Sequence, residues 1–320
     1  MKITLQNKKA VVISIGLIGV AFVLFLVFSK QFSVPSSCAA APSDSVIDWH
    51  RNITALTVPS EAFLFDKKIP LENWEVHQRF EREFYYNYTN ADQLLLWWKR
   101  LKRWEPMIDS MLDAAGLSRD FKYLMIAESG VRNVQSPARA NGYWQFIPPT
   151  AQHWGLRVDQ TIDDRLDPVL STQAAVRYLS KLKAQFHGDY VLAAAGYNMG
   201  EDGVEEVLDY QKQSSFWNLY VNEETMRYPL RIAVIKEFLE HGQKYGFQFE
   251  KVLPYKRHAL KIITIQGPVS SIADWAIKEG YSYKDFKIFN PRFIAKNIPS
   301  GTFDIRLPAN DSERTTVTTN

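Results

Sequence analysis

Between residues 75 and 245 apolar side chains recur every three or four positions, the spacing of helices with one buried face. The pattern predicts helices over Glu75–Asn87 and Asp92–Trp104, the second carrying Leu94, Leu95, Trp98 and Leu101 on one side. A further helix is predicted from Phe121, where Phe121, Leu124, Met125 and Glu128 fall at i, i+3, i+4 and i+7. Ser118 is placed to cap its start and Gly130 to end it. Asp167-Pro168 reads as a cap and a first-turn proline, followed by the stripe Ala174, Tyr178, Leu182 and Phe186. Val191–Asn198 is a short small-residue helix that Gly200 can terminate, and Pro229–Tyr245 a long one with Ile232, Ile235 and Leu239 inward. Strand-like alternation is scarce from Asp66 to Gly246, so this region is expected to be mainly α.

The period changes after Tyr255. Ala259–Ile265 reads as a strand, Ser270–Glu279 and Tyr283–Phe289 as helices, and Phe303–Pro308 as a closing strand. The expectation is a small α+β (βααβ) module over residues 255–309. The polar, Thr-rich tail, residues 310–320, is expected to be disordered.

At the other end, Ala10–Phe28 is an uncharged apolar run that would span roughly 28 Å as a helix, enough for a bilayer core. Lys2, Lys8 and Lys9 precede it, which would keep a short N-terminus in the cytoplasm and place the rest outside. We take residues 1–32 as a stub plus an N-terminal transmembrane helix. A cleaved signal peptide with its site at Ala39-Ala40-Ala41 and a lipoprotein acylated at Cys38 are alternatives. Residues 33–65 are rich in Ser, Pro, Ala and Thr, and read as a linker before an ordered region 66–250.

Composition adds little to this picture. A formal net charge of +3 with no basic stripe gives no reason to expect nucleic acid. Cys38 is the one cysteine, so no intrachain disulfide can form. The six His residues are scattered without helical pairing or companion Cys, so neither a metal site nor any other cofactor is expected.

Glu128 is the anomaly in the pattern, a carboxylate at the end of a core-facing stripe. Held against apolar neighbours it would resist ionising and could serve as a general acid. The stripe alone is equally compatible with a carboxylate that reaches water at a helix end. The residues that follow bear on this choice. Ser129 adjoins Glu128, then come Ser136-Pro137-Ala138 and Gly142-Tyr143-Trp144-Gln145-Phe146, later Gly196-Tyr197-Asn198, and finally Glu224-Thr225-Met226-Arg227-Tyr228. In this order the motifs resemble those of the lysozyme-like domain of lytic transglycosylases, of the membrane-bound murein transglycosylase D type. Three positions depart from that family: Arg139 replaces a Gly, Asn141 a small apolar residue, and Gly196 an Ala. A Gly at 139 can serve a backbone conformation that Arg adopts less readily.

The resemblance implies a lysozyme-like α-helical catalytic domain in a bacterial envelope enzyme, with peptidoglycan glycan strands as partner. Glu128 would be the single acid and base. Ser129, Gly142, Tyr143, Gln145, Phe146, Tyr197, Asn198 and Tyr228 would bind substrate or, for Tyr228, hydrogen-bond the Glu. Trp144 is expected to pack beneath the loop. The βααβ stretch resembles a LysM module in its Ile272-Ala273 and Asn290-Pro291 pairs, with Gly267-Pro268-Val269 in place of the usual turn. Two other readings stay open: a goose-type lysozyme-like hydrolase and a non-catalytic glycan binder tethered to the membrane. For the hydrolase, one of Asp159, Asp163, Asp164, Asp167, Glu201 or Asp202 would hold a water.

Overall fold

The helix bearing Glu128 runs Phe121–Ser129 and is enclosed on nearly every side, with Phe121, Tyr123, Leu124, Met125 and Ile126 all buried. Gly130 ends it in the left-handed conformation, where a side chain at that position would strike the Trp97 ring. Ser118 caps the turn that leads into it, its hydroxyl accepting the Asp120 amide at 3.2 Å. Asp120 occupies the position directly before the helix, and its carboxylate accepts from the Phe65 amide and from Lys236.

The computed structural model describes residues 56–315, and residues 57–315 belong to one compact unit. The apolar run 10–28, and with it the anchor, signal-peptide and lipidation readings, lies outside the described residues. Among the described residues no helix is long and apolar enough to cross a membrane.

The first part of the unit is mainly helical. Helices Trp74–Thr89 and Glu223–His241 pack together, with Phe84 stacked on Phe238 at 4.7 Å between ring centres, and helices Glu223–His241 and Ala91–Ala114 flank helix Phe121–Ser129. Helices Pro168–Gln185 and Tyr190–Met199 complete the core. Asp167 caps the first of these through the Val169 and Leu170 amides, and Asp189 caps the second. Gly196 in the second helix leaves room for the Phe186 ring, which an added Cβ would meet at 2.9 Å.

Three boundaries differ from expectation. Ordered packing begins at Ala62 rather than Asp66, because Leu64 and Phe65 are buried and Phe65 lies 4.6 Å from Phe121. Helix Ala91–Ala114 runs ten residues past Trp104, carrying Pro106 within it. The last helix starts at Glu223, not Pro229, because Asn222 accepts the Thr225 amide and the helix passes through the proline.

The remainder has the expected strand–helix–helix–strand order. Strands Leu260–Val269 and Ile298–Pro308 pair antiparallel, with Ile263 opposite Ile305 and Ile265 opposite Phe303. Helices Ile272–Lys278 and Tyr283–Phe289 cover one face of the pair, burying Ile272, Ala276, Phe286 and Phe293. Gly267-Pro268-Val269 is strand with a register shift rather than a turn. Residues 311–313 form a short helical turn and the Thr315 amide donates to Asp285, so the tail is ordered to that point. One member of this core comes from elsewhere: Ile162, fully buried, enters it from the helical region and bridges to Phe293.

Candidate active site

Glu128 lies at the floor of a cleft of about 400 Å³. Ala127, Gln145, Tyr197, Asn198, Tyr228 and Arg231 surround it, and Ser136, Ala140, Ile147 and Glu224 form the rest of the wall. Tyr228 is fully buried and donates its hydroxyl to Glu128 Oε1. Burial among these rings raises the Glu128 pKa to about 7, against the opposing effects of the Tyr228 hydrogen bond and the Arg231 charge. A carboxylic acid in that range can give up and regain a proton near neutral pH. The same enclosure, with the Glu128 charge beside them, pushes both Tyr197 and Tyr228 well above the ordinary phenol range, so they stay protonated donors.

The loop from 133 to 146 forms one wall. Gln145 sits there with a left-handed backbone, φ +50°, and its amide nitrogen donates to the Val134 and Gly142 carbonyls at 2.8 and 2.7 Å. Its carbonyl oxygen is the polar atom it has left for a ligand. Tyr197 donates to the Trp144 carbonyl at 2.8 Å, and Asn198 Oδ1 accepts from Thr225 at 2.7 Å. Both side chains are therefore fixed before any ligand arrives.

Four residues expected to bind substrate do not line this cleft. The Ser129 hydroxyl is buried and joins the Met125 and Tyr143 carbonyls. Gly142 lets the loop press on the turn below: a Cβ there would lie 1.9 Å from the Arg165 carbonyl. Tyr143 turns the other way and meets Trp104 edge-on at 6.2 Å. Phe146 is buried and supports an adjoining hollow with Tyr178 and Tyr197. Trp144, fully buried, donates to Thr172.

The turn beneath the loop explains one sequence departure, Asn141. Arg165 forks onto Asp163 with bonds of 2.8 and 2.7 Å and uses its remaining nitrogen on the Arg139 and Phe146 carbonyls. Asn141 donates to the same Asp163 carboxylate at 3.0 Å, a bond no apolar residue could make. Arg139 holds φ +63°, the left-handed region suited to glycine, with its side chain exposed.

Arg231 and Glu224 were not singled out from sequence. Arg231 Nη1 lies 2.9 Å from Glu224 Oε1 and its Nε 3.4 Å from the fully buried Glu83. Glu224, Tyr228 and Arg231 stand at i, i+4 and i+7 of one helix, a shared face that becomes readable once the helix begins at Glu223. None of the six carboxylates considered for holding a water lines the cleft: Asp163 is taken by Arg165, Asp164 by Arg292, Asp167 by Arg306 and the helix cap, Asp159 by Arg157 and Thr161, and Glu201 by Lys181 and Tyr178, while Asp202 is exposed on another helix. Among the described residues no cluster of His, Cys, Asp and Glu is placed to hold a metal ion.

Residues 109–220 match the family described as Transglycosylase SLT domain. Over 161 residues the chain is 32% identical to membrane-bound lytic murein transglycosylase D of Escherichia coli (strain K12), covering 48% of this chain and 34% of that protein. It is 37% identical over 101 residues to the peptidoglycan transglycosylase gp16 of Escherichia phage T7, covering 31% of this chain and 8% of that one. Among solved structures, the lytic transglycosylase Slt from Pseudomonas aeruginosa aligns at 22% identity with a TM-score of 0.34, covering 46% of this chain and 24% of that one. The chain thus spans about a third of the length of the E. coli relative.

Proposed function

We propose that this chain, a homologue of murein transglycosylase D with a transglycosylase SLT domain at residues 109–220, is a peptidoglycan lytic transglycosylase, a glycosidic-bond lyase. The observation that carries this reading is Glu128: one recessed carboxyl with a pKa near 7, held by Tyr228, in a cleft whose other carboxylate is already paired.

Breaking a glycosidic bond requires a proton on the leaving oxygen and relief of positive charge at the ring carbon. Protonated Glu128 donates to the oxygen of the β-1,4 bond between MurNAc and GlcNAc. The C6 hydroxyl of the same MurNAc then closes on the reacting carbon, and ionised Glu128 takes its proton. The new C–O bond replaces the broken one, no water is consumed, and the product is a 1,6-anhydro-MurNAc end. Because the hydroxyl belongs to the reacting sugar, its effective concentration is high and no second carboxylate need hold a nucleophile. Gln145, Tyr197 and Asn198 orient the sugar through groups whose own positions are set by hydrogen bonds. Tyr228 orients Glu128.

The βααβ part is read as a LysM-like module that helps hold the glycan, and the apolar run 10–28 as a single-pass anchor that keeps the catalytic part on the periplasmic side of the inner membrane. The second reading, a goose-type hydrolase, has one observation in its favour: Glu224 opens onto the same cleft and could position a water if Arg231 released it. Mass spectrometry of sugars released from purified murein separates the two. Anhydro ends are expected from the wild type. Reducing ends, one water heavier, would establish the hydrolase and make Glu224 its second carboxylate. No release by folded protein would leave a binding role.

A further inference from the structure

A second concave site lies between the outer face of the two-stranded sheet and helix Ala91–Ala114. It holds about 410 Å³, and its apolar lining includes Trp104, Met107, Tyr143, Leu260, Ile262 and Ile288. Leu260, Ile262 and Ile288 are 40%, 61% and 51% exposed, unusual for side chains of this size. The strand pattern sharpens the point. Ile263 and Ile265 face the module's core, so Leu260 and Ile262 occupy the opposite face, where polar residues are the rule.

The same site carries four potential cations, Arg103, Arg257, His258 and Arg306, and none of its lining residues is acidic. Three of these are engaged: Arg103 donates to the Lys256 carbonyl, Arg306 pairs with Asp167, and His258 lies edge-on to Phe289 with its Nδ1 3.8 Å from Glu313 Oε1. One is not. Arg257 is exposed and makes no hydrogen bond or ion pair among the described residues.

We propose that this cavity binds a carboxylate-bearing peptide, its small apolar side chains on Leu260, Ile262 and Ile288 and its carboxylate on Arg257. Charge complementarity selects the occupant, since an uncharged sugar would leave Arg257 without a counter-charge in a lining that carries no acidic residue. Resting on the reading of the chain as a murein-cleaving enzyme, the peptide is the stem carried by the sugar strand. Tyr143 connects the two places, because its ring lines this cavity while its carbonyl accepts from Ser129, the neighbour of Glu128.

The test is calorimetric titration of the whole chain with a free murein stem tetrapeptide, and with the same peptide after its carboxylates are converted to amides. The intact peptide is expected to bind, and amidation to weaken it by about tenfold or more. Arg257→Glu, at an exposed side chain with no internal partner, is expected to cause a comparable loss without unfolding the protein. Equal affinity for both peptides, indifference to Arg257→Glu, or no binding would overturn the proposal. So would peptide-free sugar chains that bind through Arg257, or a dimer that Arg257→Glu dissolves. Sugar release from murein, measured in parallel, keeps the two ideas apart. Anhydro release without peptide binding removes only the peptide site, whereas peptide binding without release removes only the enzymatic reading.

Discussion

Tyr228 donates its hydroxyl to Glu128 Oε1, joining residues one hundred positions apart in sequence. The bond stabilises the ionised carboxylate, so it restrains the rise in pKa that burial imposes. Without it, Glu128 should hold its proton to higher pH. Tyr228→Phe is therefore expected to move the alkaline limb of kcat/KM against pH upward from about 7 by up to about one unit. The rate should fall by about tenfold through loss of positioning. A pH–rate profile on solubilised murein reads both. A limb that moves to lower pH would contradict the assignment of Glu128 as the acid.

Glu128 should also leave a mark on stability. Its folded pKa of about 7 lies above the ordinary 4.5, so the folded state holds the proton more tightly than the unfolded chain. The stability this contributes is complete below 4.5 and is lost as pH rises through 7. Glu128→Gln, which cannot ionise, is expected to gain on the wild type across that window, by on the order of 2 kcal/mol at pH 8. Sugar release should fall by at least about a hundredfold. Urea unfolding at pH 5 and pH 8 measures the first effect; a gap that does not widen with pH would count against an acid recessed in the cleft.

Arg165 is expected to be more costly to lose than any residue touching the cleft directly. It is 4% exposed, and it satisfies Asp163 and two loop carbonyls at once. Arg165→Met leaves the buried Asp163 carboxyl with two amide donors, the Asn141 side chain and the backbone amide of residue 165, and no counter-charge. The expected loss is about 3–5 kcal/mol, with activity falling as the loop from 139 to 146 comes free. Arg165→Lys should recover little of it, since an ammonium cannot fork onto a carboxylate. The denaturant midpoint is the measurement.

Arg139→Gly is expected to act in the opposite direction. The position needs a left-handed backbone, and its carbonyl, not its side chain, meets Arg165. Removing the Cβ relieves local strain but loosens the unfolded chain, so the net gain should be at most about 1 kcal/mol, with sugar release unchanged. A thermal melt suffices; a clear loss of stability would mean that the Arg139 side chain contributes more than its exposure suggests.

What could be read from sequence was local. The Phe121 stripe placed Glu128 on a helix because packing enforces its 3.6-residue period, and Asp167-Pro168 marked a helix start because the side chain satisfies amides two and three residues on. Directions in the 133–146 loop were not legible. Tyr143 and Gln145 are two apart, yet one faces Trp104 and the other the cleft, since the turn is set by Arg165, which lies twenty residues downstream of Gln145. Pro229 misled for a physical reason: proline is costly in a helix interior, but here the packing of the whole helix outweighs one missing bond. Ile162 gave no signal, because what buries it is more than a hundred residues away.

That isoleucine bears on how the chain can be inherited. The βααβ segment looks like a cassette that recombination could shuffle, yet its apolar centre includes a plug lent by the helical part, fastened by the Asp163 amide on the Arg292 carbonyl and the Ile294 amide on that of Thr161. A splice at residue 255 would leave the transplanted half with a hole and the donor with a bare oily knob. Exchange between relatives is thus expected to succeed only when residues 157–167 travel with the module, so that the two halves evolve as one heritable piece.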